Sequence, residues 1–492
     1  MGFIEMLTEK DTLTKNGAVT NSTSHNYNLD LFFLAGACRN ESVEQIENLL
    51  TKSYVFNRVN TLKIVYWASD IRGGAGERRF FKVALNWLYK NHKEDFYQYL
   101  NFDPEFSRWD VLFDFDDDKV ISYLCENISN PLLCKWLPRK NYTTDKWKNH
   151  KVSYKNGAKS EITWIKTKKR SLYNGLASKI CKKLGWSPKE YRKWVSSHSA
   201  TVEQQMSANK WSEIDYSKIP SVAFNKYSKA WMRHDSERFQ KFIEEVQEGK
   251  TKINASAIFP HDIIKNAIQL DYYSVAIQKL TDAQIAQWES LPNWVEPNSF
   301  LPVCDTSGSM YGNNGLPGLI CLSLGLYLSE RNTGVFKDAF MTFSNDPTLQ
   351  VLKGNINQRL SQLANADWGQ NTNLLRVFDI ILTRAQEYKL SPDEMPKNLL
   401  VISDMEFDSC GLLTNYESIK LRYQSSGYKI PNIVFWNVNG RVGNVPVTVN
   451  DQGVALVSGA SPQVIRAVLS GDLDPVKCME RTINNPRYDF IQ

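Results

Sequence analysis

The sequence has few of the residues, and none of the short patterns, that commonly build enzyme and zinc centres. Its 492 residues include only 6 histidines and 8 cysteines, and no two cysteines are spaced as Cys-x-x-Cys. The His-Glu-x-x-His pattern of metalloproteases and the Gly-x-Ser-x-Gly pattern of serine hydrolases are also absent. We therefore expect neither a zinc site nor a disulfide framework, and we expect that the protein is not an enzyme.

Long apolar runs are missing as well. No apolar stretch reaches about 18 residues, the length at which a membrane-spanning helix is predicted. The N-terminus has no basic segment followed by an apolar core, so it does not resemble a signal peptide. The cysteines are scattered and mostly lie in apolar runs, which favours a reducing compartment. We expect a cytoplasmic protein that is not attached to a membrane.

The composition is that of a globular protein with more than one domain. Apolar residues make up 42% and charged residues 23% of the chain, as in folded proteins. Because 492 residues exceed one ordinary core, two or three domains are expected. The polar residues 1–29 predict a flexible N-terminal arm. The stretch PNWVEP at 292–297 predicts a boundary between a domain at 30–292 and a second at 297–492.

Residues 30–292 show apolar residues at helical spacing and almost no strand alternation. Turn residues separate most of the predicted helices, which lie at 31–38, 41–50, 58–69, 78–90, 94–100, 119–128, 172–184, 188–196, 201–208, 223–234, 236–248 and 260–269. A dozen or so short helices joined mostly by short loops favour an all-α, HEAT-like helical-repeat ring or solenoid over a bundle.

In residues 297–492, by contrast, strand and helix signals alternate. Strands are predicted at 300–304, 336–343, 349–352, 399–403, 432–437 and 454–457, and helices at 316–330, 373–388, 414–426 and 461–469. This alternation predicts a doubly wound α/β, Rossmann-like sheet. In such sheets, ligand sites lie at the carboxyl ends of the strands. The whole chain is thus predicted to be an α plus α/β multidomain protein.

A cluster of hard oxygen ligands follows the first of these strands. Asp305, Ser307 and Ser309 come at positions i, i+2 and i+4 just past the strand end. Thr372 lies in the loop before a predicted helix, and Asp404 directly follows another predicted strand. Carboxylate and hydroxyl oxygens suit Mg²⁺ or Mn²⁺. A plain turn with solvated hydroxyls is the alternative for the first three residues taken alone.

These five residues resemble the metal-ion-dependent adhesion site of von Willebrand factor A domains. That family has Asp-x-Ser-x-Ser, then Thr, then Asp, in the order found here. The two aspartates could serve two-metal hydrolysis in principle. Two carboxylates with hydroxyls make instead a shell of low charge, which can take a carboxylate from a protein partner as its last ligand. The pattern therefore favours binding over hydrolysis.

The positive charge of the chain is concentrated in residues 131–200. This stretch has eighteen Lys and Arg against three Asp and Glu, a net charge of +15, whereas the whole chain has +6. Its candidate phosphate-binding cations include Lys135, Arg139, Lys140, Lys168, Lys169, Arg170, Lys179, Lys182, Lys183 and Arg192. Cations with interleaved aromatic rings are typical of a surface that binds single-stranded nucleic acid. The alternative is that the lysines line a solvated helix face while the aromatics are core.

Two other short stretches have alternatives to a binding role. The acidic run DVLFDFDDD at 110–118 could bind a cation, but it is also typical of the start of a helix. The stretch IRGGAGERR at 71–79 lacks the Gly-Lys-Ser/Thr ending of a phosphate loop. Its glycines are predicted to permit a tight turn between helices, with Glu77 and Arg78 at the start of the second helix.

A helical domain followed by an adhesion-site A domain resembles the TROVE proteins, which include the Ro autoantigen. Five stretches are also similar to a related viral and plant family: 71–79, 108–112, 135–138, 214–223 and 253–264. Ro-type proteins have Gly-Trp-Ser after a basic helix and then Ser-His, matched here by 185–187 and 197–198. The resemblance implies RNA contacts at Lys179 and Lys183. It implies one at His198 too, although this histidine comes two residues later than the family's.

Two functions follow from these signals as hypotheses. In the first, a basic helical ring binds a single-stranded RNA end or a small structured RNA, and the A domain binds a protein partner through a divalent metal. In the second, the chain is a metal-dependent interaction adaptor or assembly factor without a nucleic-acid function. A metal-dependent nuclease is a third and weaker alternative. A ring closed by one chain needs no symmetry mates, so we expect a monomer.

Overall fold

The structure is a computed structural model, and it describes most of the chain. The described residues are 12–100, 106–139, 161–199, 201–271, 274–295, 300–305, 307–344, 346–366, 373–407, 416–451, 453–465 and 473–492. The chain divides into two compact units. The larger unit contains residues 1–87 and 215–492, and the smaller unit contains residues 88–214.

Ten strands and nineteen α-helices occur in the described part of the chain. The strands are β1 (Thr12–Leu13), β2 (Val19–Thr20), β3 (Ile268–Asp271), β4 (Ser274–Ile277), β5 (Phe300–Asp305), β6 (Ala339–Phe343), β7 (Leu349–Val351), β8 (Asn398–Ser403), β9 (Asn432–Asn437) and β10 (Val454–Ser458). The helices of the larger unit before the sheet are α1 (Tyr27–Ala35), α2 (Val43–Phe56), α3 (Arg58–Ser69), α11 (Ser221–His234), α12 (Ser236–Gln247), α13 (Pro260–Ile264) and α14 (Asp282–Glu289). Helix α4 (Arg78–Asn91) spans the division between the units.

The remaining helices belong to the smaller unit and to the sheet region. In the smaller unit they are α5 (Lys93–Leu100), α6 (Asp118–Glu126), α7 (Pro131–Trp136), α8 (Glu161–Leu184), α9 (Pro188–His198) and α10 (Val202–Ser207). In the sheet region they are α15 (Gly312–Arg331), α16 (Ile356–Ala364), α17 (Leu374–Glu387), α18 (Tyr416–Ser425) and α19 (Pro475–Ile483). None of the described helices is both long enough and apolar enough to cross a membrane.

A six-stranded sheet forms the core of the larger unit. Its strand order is β10-β9-β8-β5-β6-β7, and every pair is parallel except β6 with β7. One row of residues crosses five strands and is wholly buried: Met341, Val303, Val401, Phe435 and Leu456. Parallel strands are covered on both faces, which explains why these segments are continuously apolar in the sequence. The prediction of an α/β part with a largely parallel sheet is confirmed.

The helical part largely has the predicted helices, but one segment predicted to be helical is partly a β-strand. The helix predicted at 260–269 ends at Ile264, and a hairpin of β3 and β4 follows it. Ile268 and Leu270 alternate with polar residues, which is the pattern of a strand, and this short alternation was mistaken for helical spacing. Helices α7, α14, α16 and α19 were not predicted. The grouping of the helices into HEAT-like repeats stays a prediction.

Residues 12–29 differ from the flexible arm predicted for 1–29. Strands β1 and β2 pair with each other, and the backbone of Asn21 exchanges hydrogen bonds with that of Val445. Helix α1 then begins after Asn26, whose side chain accepts from the amides of Asn28 and Leu29. Polar composition alone suggested disorder, because the partners of these side chains lie some 400 residues away in the sequence.

Helix α1 packs directly against the end of strand β10. The Oγ atom of Ser458 accepts from the amide of Gly36 at 3.0 Å and donates to the carbonyl of Phe32 at 2.9 Å. A Cβ atom added at Gly36 would lie 2.6 Å from the backbone of Ser458. Backbone therefore meets backbone here, and only glycine fits.

A second long-range contact joins the C-terminus to helix α3. Asp70, which is fully buried, accepts from Arg487 Nε at 2.8 Å, from Arg487 Nη2 at 3.1 Å and from the Tyr488 hydroxyl at 3.1 Å. The glycine-rich turn after Asp70 is equally tight, since a Cβ atom at Gly74 would lie 1.9 Å from the carbonyl oxygen of Trp67. The glycines of 71–79 therefore serve a turn between α3 and α4, as the sequence predicted.

We predict that Gly36→Ala destabilises the larger unit by about 1–3 kcal/mol, because the new methyl group overlaps backbone that cannot move aside. Urea unfolding followed by tryptophan fluorescence measures the change. Gly312→Ala is the control, since a Cβ atom there meets nothing within 4 Å. Equal stability of the two variants would contradict the close packing of α1 on β10.

Candidate metal centre and nucleic-acid surface

Four of the five predicted metal ligands come together at the carboxyl ends of β5 and β8, which are neighbours in the sheet. The amide of Ser307 donates to Asp305 Oδ1 at 2.8 Å. The hydroxyls of Ser307 and Ser309 lie 3.1 Å apart, and Ser309 Oγ donates to Asp404 Oδ1 at 3.1 Å. Thr372, the fifth, lies outside the described residues. The two carboxylates and two hydroxyls form one connected oxygen cluster.

Burial makes this cluster electrostatically unusual. Asp305 is 1% exposed and Asp404 is 3% exposed, whereas Ser309 is only half-buried and opens the cluster to solvent. Burial, and then the negative charge of Asp305, raise the pKa of Asp404 to about 7. Two acids held together away from water favour a cation between them. The oxygen-only donor set therefore fits Mg²⁺ or Mn²⁺.

No group of three or more His, Cys, Asp or Glu side chains that could hold a metal ion occurs anywhere in the described ranges, the cluster at β5 and β8 included. The seven cysteines within them are all buried, and none of these seven forms a disulfide. The cluster at β5 and β8 draws instead on serine hydroxyls, so its donors number two carboxylates and two hydroxyls among the described residues.

Sequence reasoning missed the residues that hold this cluster in place. Ser403, which is fully buried, donates from its hydroxyl to Asp305 Oδ2 and accepts from the amide of Met405 at 2.9 Å. Met405 has a left-handed backbone with φ of 65°, a conformation that residues other than Gly, Asn and Asp rarely adopt. No local signal marks either role, because Ser403 ends an apolar strand like any other polar residue. The supporting contacts exist only in the folded sheet.

The N-terminal hairpin reaches the loop that carries Asp404. Glu406, which is 3% exposed, accepts from the amide of Lys15 at 2.6 Å and from Arg441 Nε at 2.9 Å. Arg441 also donates to the carbonyl of Leu13 at 2.7 Å. The amide of Glu406 in turn donates to Asp404 Oδ1 at 3.3 Å. The hairpin thus fixes one side of the candidate metal centre.

The predicted nucleic-acid cations lie in the smaller unit, chiefly on α8 and α9. Lys179, Lys182, Lys183 and Arg139 are exposed, and Lys135 and Arg192 are half-buried. The backbone of α8 includes Lys168, Lys169 and Arg170, but their side chains lie outside the described part, as does all of Lys140. Helix α8 ends at Leu184, and Ser187 caps α9 through a capping box with Glu190. This turn places the end of α8 beside the start of α9.

A set of half-buried aromatic rings lies among these cations. The rings of Trp194 and His198 stack with centroids 3.9 Å apart and planes 17° apart. Trp186 lies 5.2 Å from Trp194, at 48° to it. Trp194 Nε1 donates to the carbonyl of Ile128 at 3.1 Å, which fixes the ring on the unit. We call Trp186, Trp194 and His198 the aromatic platform.

The candidate cations also have partners of their own. Lys179 forms an ion pair with Asp116, and Lys183 Nζ donates to Ser122 Oγ at 2.6 Å. Lys179 and Asp116 are each about half exposed, with side-chain values of 48% and 59%. A solvent-exposed ion pair contributes at most about 1 kcal/mol, so it yields to a stronger anion. The acidic run at 110–118 thus supplies both a helix cap, Asp117, and a partner for the basic helix.

Two family models, both described as domains of unknown function, match the chain. DUF7788 matches residues 299–485, and DUF2828 matches residues 14–101 and 173–298. Each covers less than half of the chain. The two models meet next to the boundary predicted at 292–297, and the gap in the second falls on 102–172, which includes the acidic run. These matches name no activity.

Two individual proteins are similar to the chain over most of its length. Uncharacterized protein L728 of Acanthamoeba polyphaga mimivirus is 26% identical over 498 aligned residues, which cover 94% of this chain and 85% of the viral protein. The crystal structure of Deinococcus radiodurans RO (RSR) protein is matched at 12% identity, over 94% of this chain and 99% of that one, with a TM-score of 0.37. A TM-score of this size is too low to carry an argument about fold or function.

We predict that Asp404→Asn removes divalent-cation binding without unfolding the protein. The change deletes one of two buried, neighbouring negative charges, so the metal-free variant unfolds at the same temperature as the unchanged protein or a few degrees higher. Thermal unfolding with EDTA and with MgCl₂ measures both effects. The unchanged protein should gain stability with Mg²⁺, and the variant should not. A variant that still gains as much would contradict the assignment of Asp404 as a ligand.

Proposed function

We propose that this protein binds single-stranded RNA, or the single-stranded part of a small structured RNA, on its smaller unit and catalyses no reaction. The observation that carries the proposal is the aromatic platform flanked by exposed cations on α8 and α9. Flat rings accept stacked bases of any sequence, and lysines neutralise the phosphates that connect them. Half-buried tryptophans beside exposed cations support a binding surface more than they support a merely solvated helix face.

The geometry supports specific roles within this surface. Trp194 and His198 are four residues apart on α9 and therefore share one face of the helix. Lys189 and Lys193 have the same spacing and are exposed, as are Lys182 and Lys183 at the end of α8. A base stacked on the platform would have phosphates within reach of cations on both helices. His198 keeps a contact role in this proposal through its ring, despite its late position in the sequence.

We propose further that the oxygen cluster of Asp305, Ser307, Ser309 and Asp404 holds Mg²⁺ or Mn²⁺ for a protein partner. The two carboxylates and two hydroxyls would hold the metal, which would act there as a binding point for a carboxylate of the partner. Ser309 is half-buried, so the cluster is accessible from its side. The alternative is that this docking is the whole function and the chain is an interaction adaptor. The buried carboxylate pair is equally consistent with an adaptor and with a protein that binds both RNA and a partner. RNA binding therefore has to be tested separately.

We predict that a fluorescein-labelled single-stranded RNA binds in a salt-sensitive and EDTA-insensitive manner. Lys179→Ala/Lys183→Ala should weaken binding about tenfold or more at low salt and flatten the slope of log K against log salt by about 1.4, since each single-strand phosphate contact contributes about 0.7. Fluorescence anisotropy over a salt series measures this. Lys229→Ala/Lys241→Ala, two exposed lysines of the larger unit, removes the same charge and should have little effect. Equal losses in the two double variants would refute a localised surface.

We also predict that Asp116→Asn strengthens RNA binding about two- to fivefold, because it releases Lys179 from its ion pair. The same anisotropy assay applies. Asp118→Asn is the matched control, since it changes the same charge two residues away and Asp118 forms no described ion pair with Lys179. If both variants gain equally, a general change of charge explains the result and the contact between Asp116 and Lys179 does not.

A further inference from the structure

A cavity of about 160 Å³ lies in the larger unit, and its lining includes none of the described candidate metal ligands. Helices α1 and α2 form one side of it, and residues 441–445 form the other. Phe33, Leu34 and Leu49 give it an apolar base. Cavities of this size hold about six to ten non-hydrogen atoms. The space therefore suits a small organic molecule.

One wall of the cavity carries a buried acceptor without a donor. Asn444 is 2% exposed, and its Nδ2 donates to the carbonyl of Met405 at 2.8 Å. Its Oδ1 has no hydrogen-bond partner among the described residues. A buried acceptor left unpaired costs about 1–3 kcal/mol. Asn444 lines the cavity through its residue, while Oδ1 itself has almost no accessible surface. A small shift of the Asn444 side chain would bring Oδ1 to a donor group on a bound molecule and remove that cost.

The mouth of the cavity carries a cation that no acid within the described ranges neutralises. Lys52 is exposed, its Nζ lies 5.4 Å from the centre of the Tyr27 ring, and it forms no ion pair within the described ranges. Arg441, the other lining cation, is already paired with Glu406. Lys52 is thus the lining residue best placed to attract an anion.

The one acid in the lining does not oppose this. Asp30 is 8% exposed, and its two oxygens accept from Thr23 Oγ1 at 2.5 Å and from the amide of Ser24 at 2.7 Å. Burial raises the pKa of the Asp30 carboxyl. Its hydrogen bonds turn the carboxylate toward the backbone of 23–24.

We propose that this cavity binds a small organic carboxylate. The carboxylate meets Lys52, the apolar body packs on Phe33, Leu34 and Leu49, and a hydroxyl or amine on the far side donates to Asn444 Oδ1. The proposal is independent of RNA binding and of the metal, and concerns a third site. Asn444 and Arg441 also form hydrogen bonds with Met405 and Glu406. A ligand in the cavity would therefore contact residues that bond directly to that loop.

Three probes of similar size separate the contacts, and each is titrated by calorimetry against the full chain. 4-Hydroxybenzoate has both the carboxylate and the donor, benzoate lacks the donor, and 4-hydroxybenzyl alcohol lacks the charge. We expect 4-hydroxybenzoate to bind most tightly, with each of the others about tenfold weaker or more. No binding of 4-hydroxybenzoate at millimolar concentration overturns the proposal. Equal binding of all three probes does the same.

Two substitutions locate the site. Lys52→Met keeps the length of the side chain and removes its charge, so it should weaken 4-hydroxybenzoate about tenfold and leave 4-hydroxybenzyl alcohol unchanged. Lys229→Met is the control, since Lys229 is an exposed lysine far along the chain that does not line the cavity. Val442→Trp fills the cavity from its half-buried rim and should abolish binding of every probe. Binding that survives both Lys52→Met and Val442→Trp unchanged places the ligand elsewhere and overturns the proposal.

Discussion

The pairing of β5 with β8 is the constraint on which the candidate metal centre depends. The register places Val303 beside Val401 and Cys304 beside Ile402, so the two strands end side by side. Asp305 and Asp404, nearly a hundred residues apart in sequence, become neighbours as a direct result. The apolar packing of the central strands provides the free energy that holds two acids together. Their mutual repulsion is then a property of the site that a bound divalent cation would relieve.

The loop after β8 connects this centre to features that look unrelated in the sequence. Met405 has a left-handed backbone, which costs of order 1–2 kcal/mol and persists only where the surroundings enforce it. Ser403, Asn444 and Glu406 provide that enforcement through hydrogen bonds on either side of it. The N-terminal hairpin contacts this loop, and so do Arg441 and Asn444, which line the cavity described above. A change at any of them therefore alters the support of Asp404.

The sequence predicted the features that depend on local pattern. All six strands of the sheet were found from apolar runs, and the spacing of Asp305, Ser307 and Ser309 placed them on one turn. Asp404 was predicted as a ligand because it follows a strand, and ligand sites of parallel sheets lie at strand ends. The structure places it in the same cluster as Asp305, and its role as a ligand stays a prediction. The basic helices were evident from charge alone. The ion pair of Lys179 with Asp116 was not evident from the sequence. Both residues lie in stretches of unusual charge, but only the tertiary structure brings them together.

Tertiary contacts also explain the remaining differences. The polar residues 12–29 suggested an arm, yet their hydroxyls and amides bind Phe407, Glu406 and Val445. Nothing in their own composition reveals those partners. In the same way, Ile268 and Leu270 alternate over too few residues for their period to be distinguished from that of a helix. Short secondary-structure elements and hydrogen bonds between distant segments therefore cannot be predicted from local sequence pattern.

The contacts of Gly36 with Ser458 and of Asp70 with Arg487 have a consequence for synthesis of the chain. Their partners are separated by 422 and 417 residues, so the N-terminal helices leave the ribosome long before the segments that cover them. Until those segments are made, the apolar helix α1 stays exposed to solvent, and Asp70 lacks the arginine with which it pairs in the folded protein. Folding of the larger unit must wait for the last fifth of the chain, and the loop closure involved is slow. Such a nascent chain depends on its early helices staying soluble, or on chaperones that shield them.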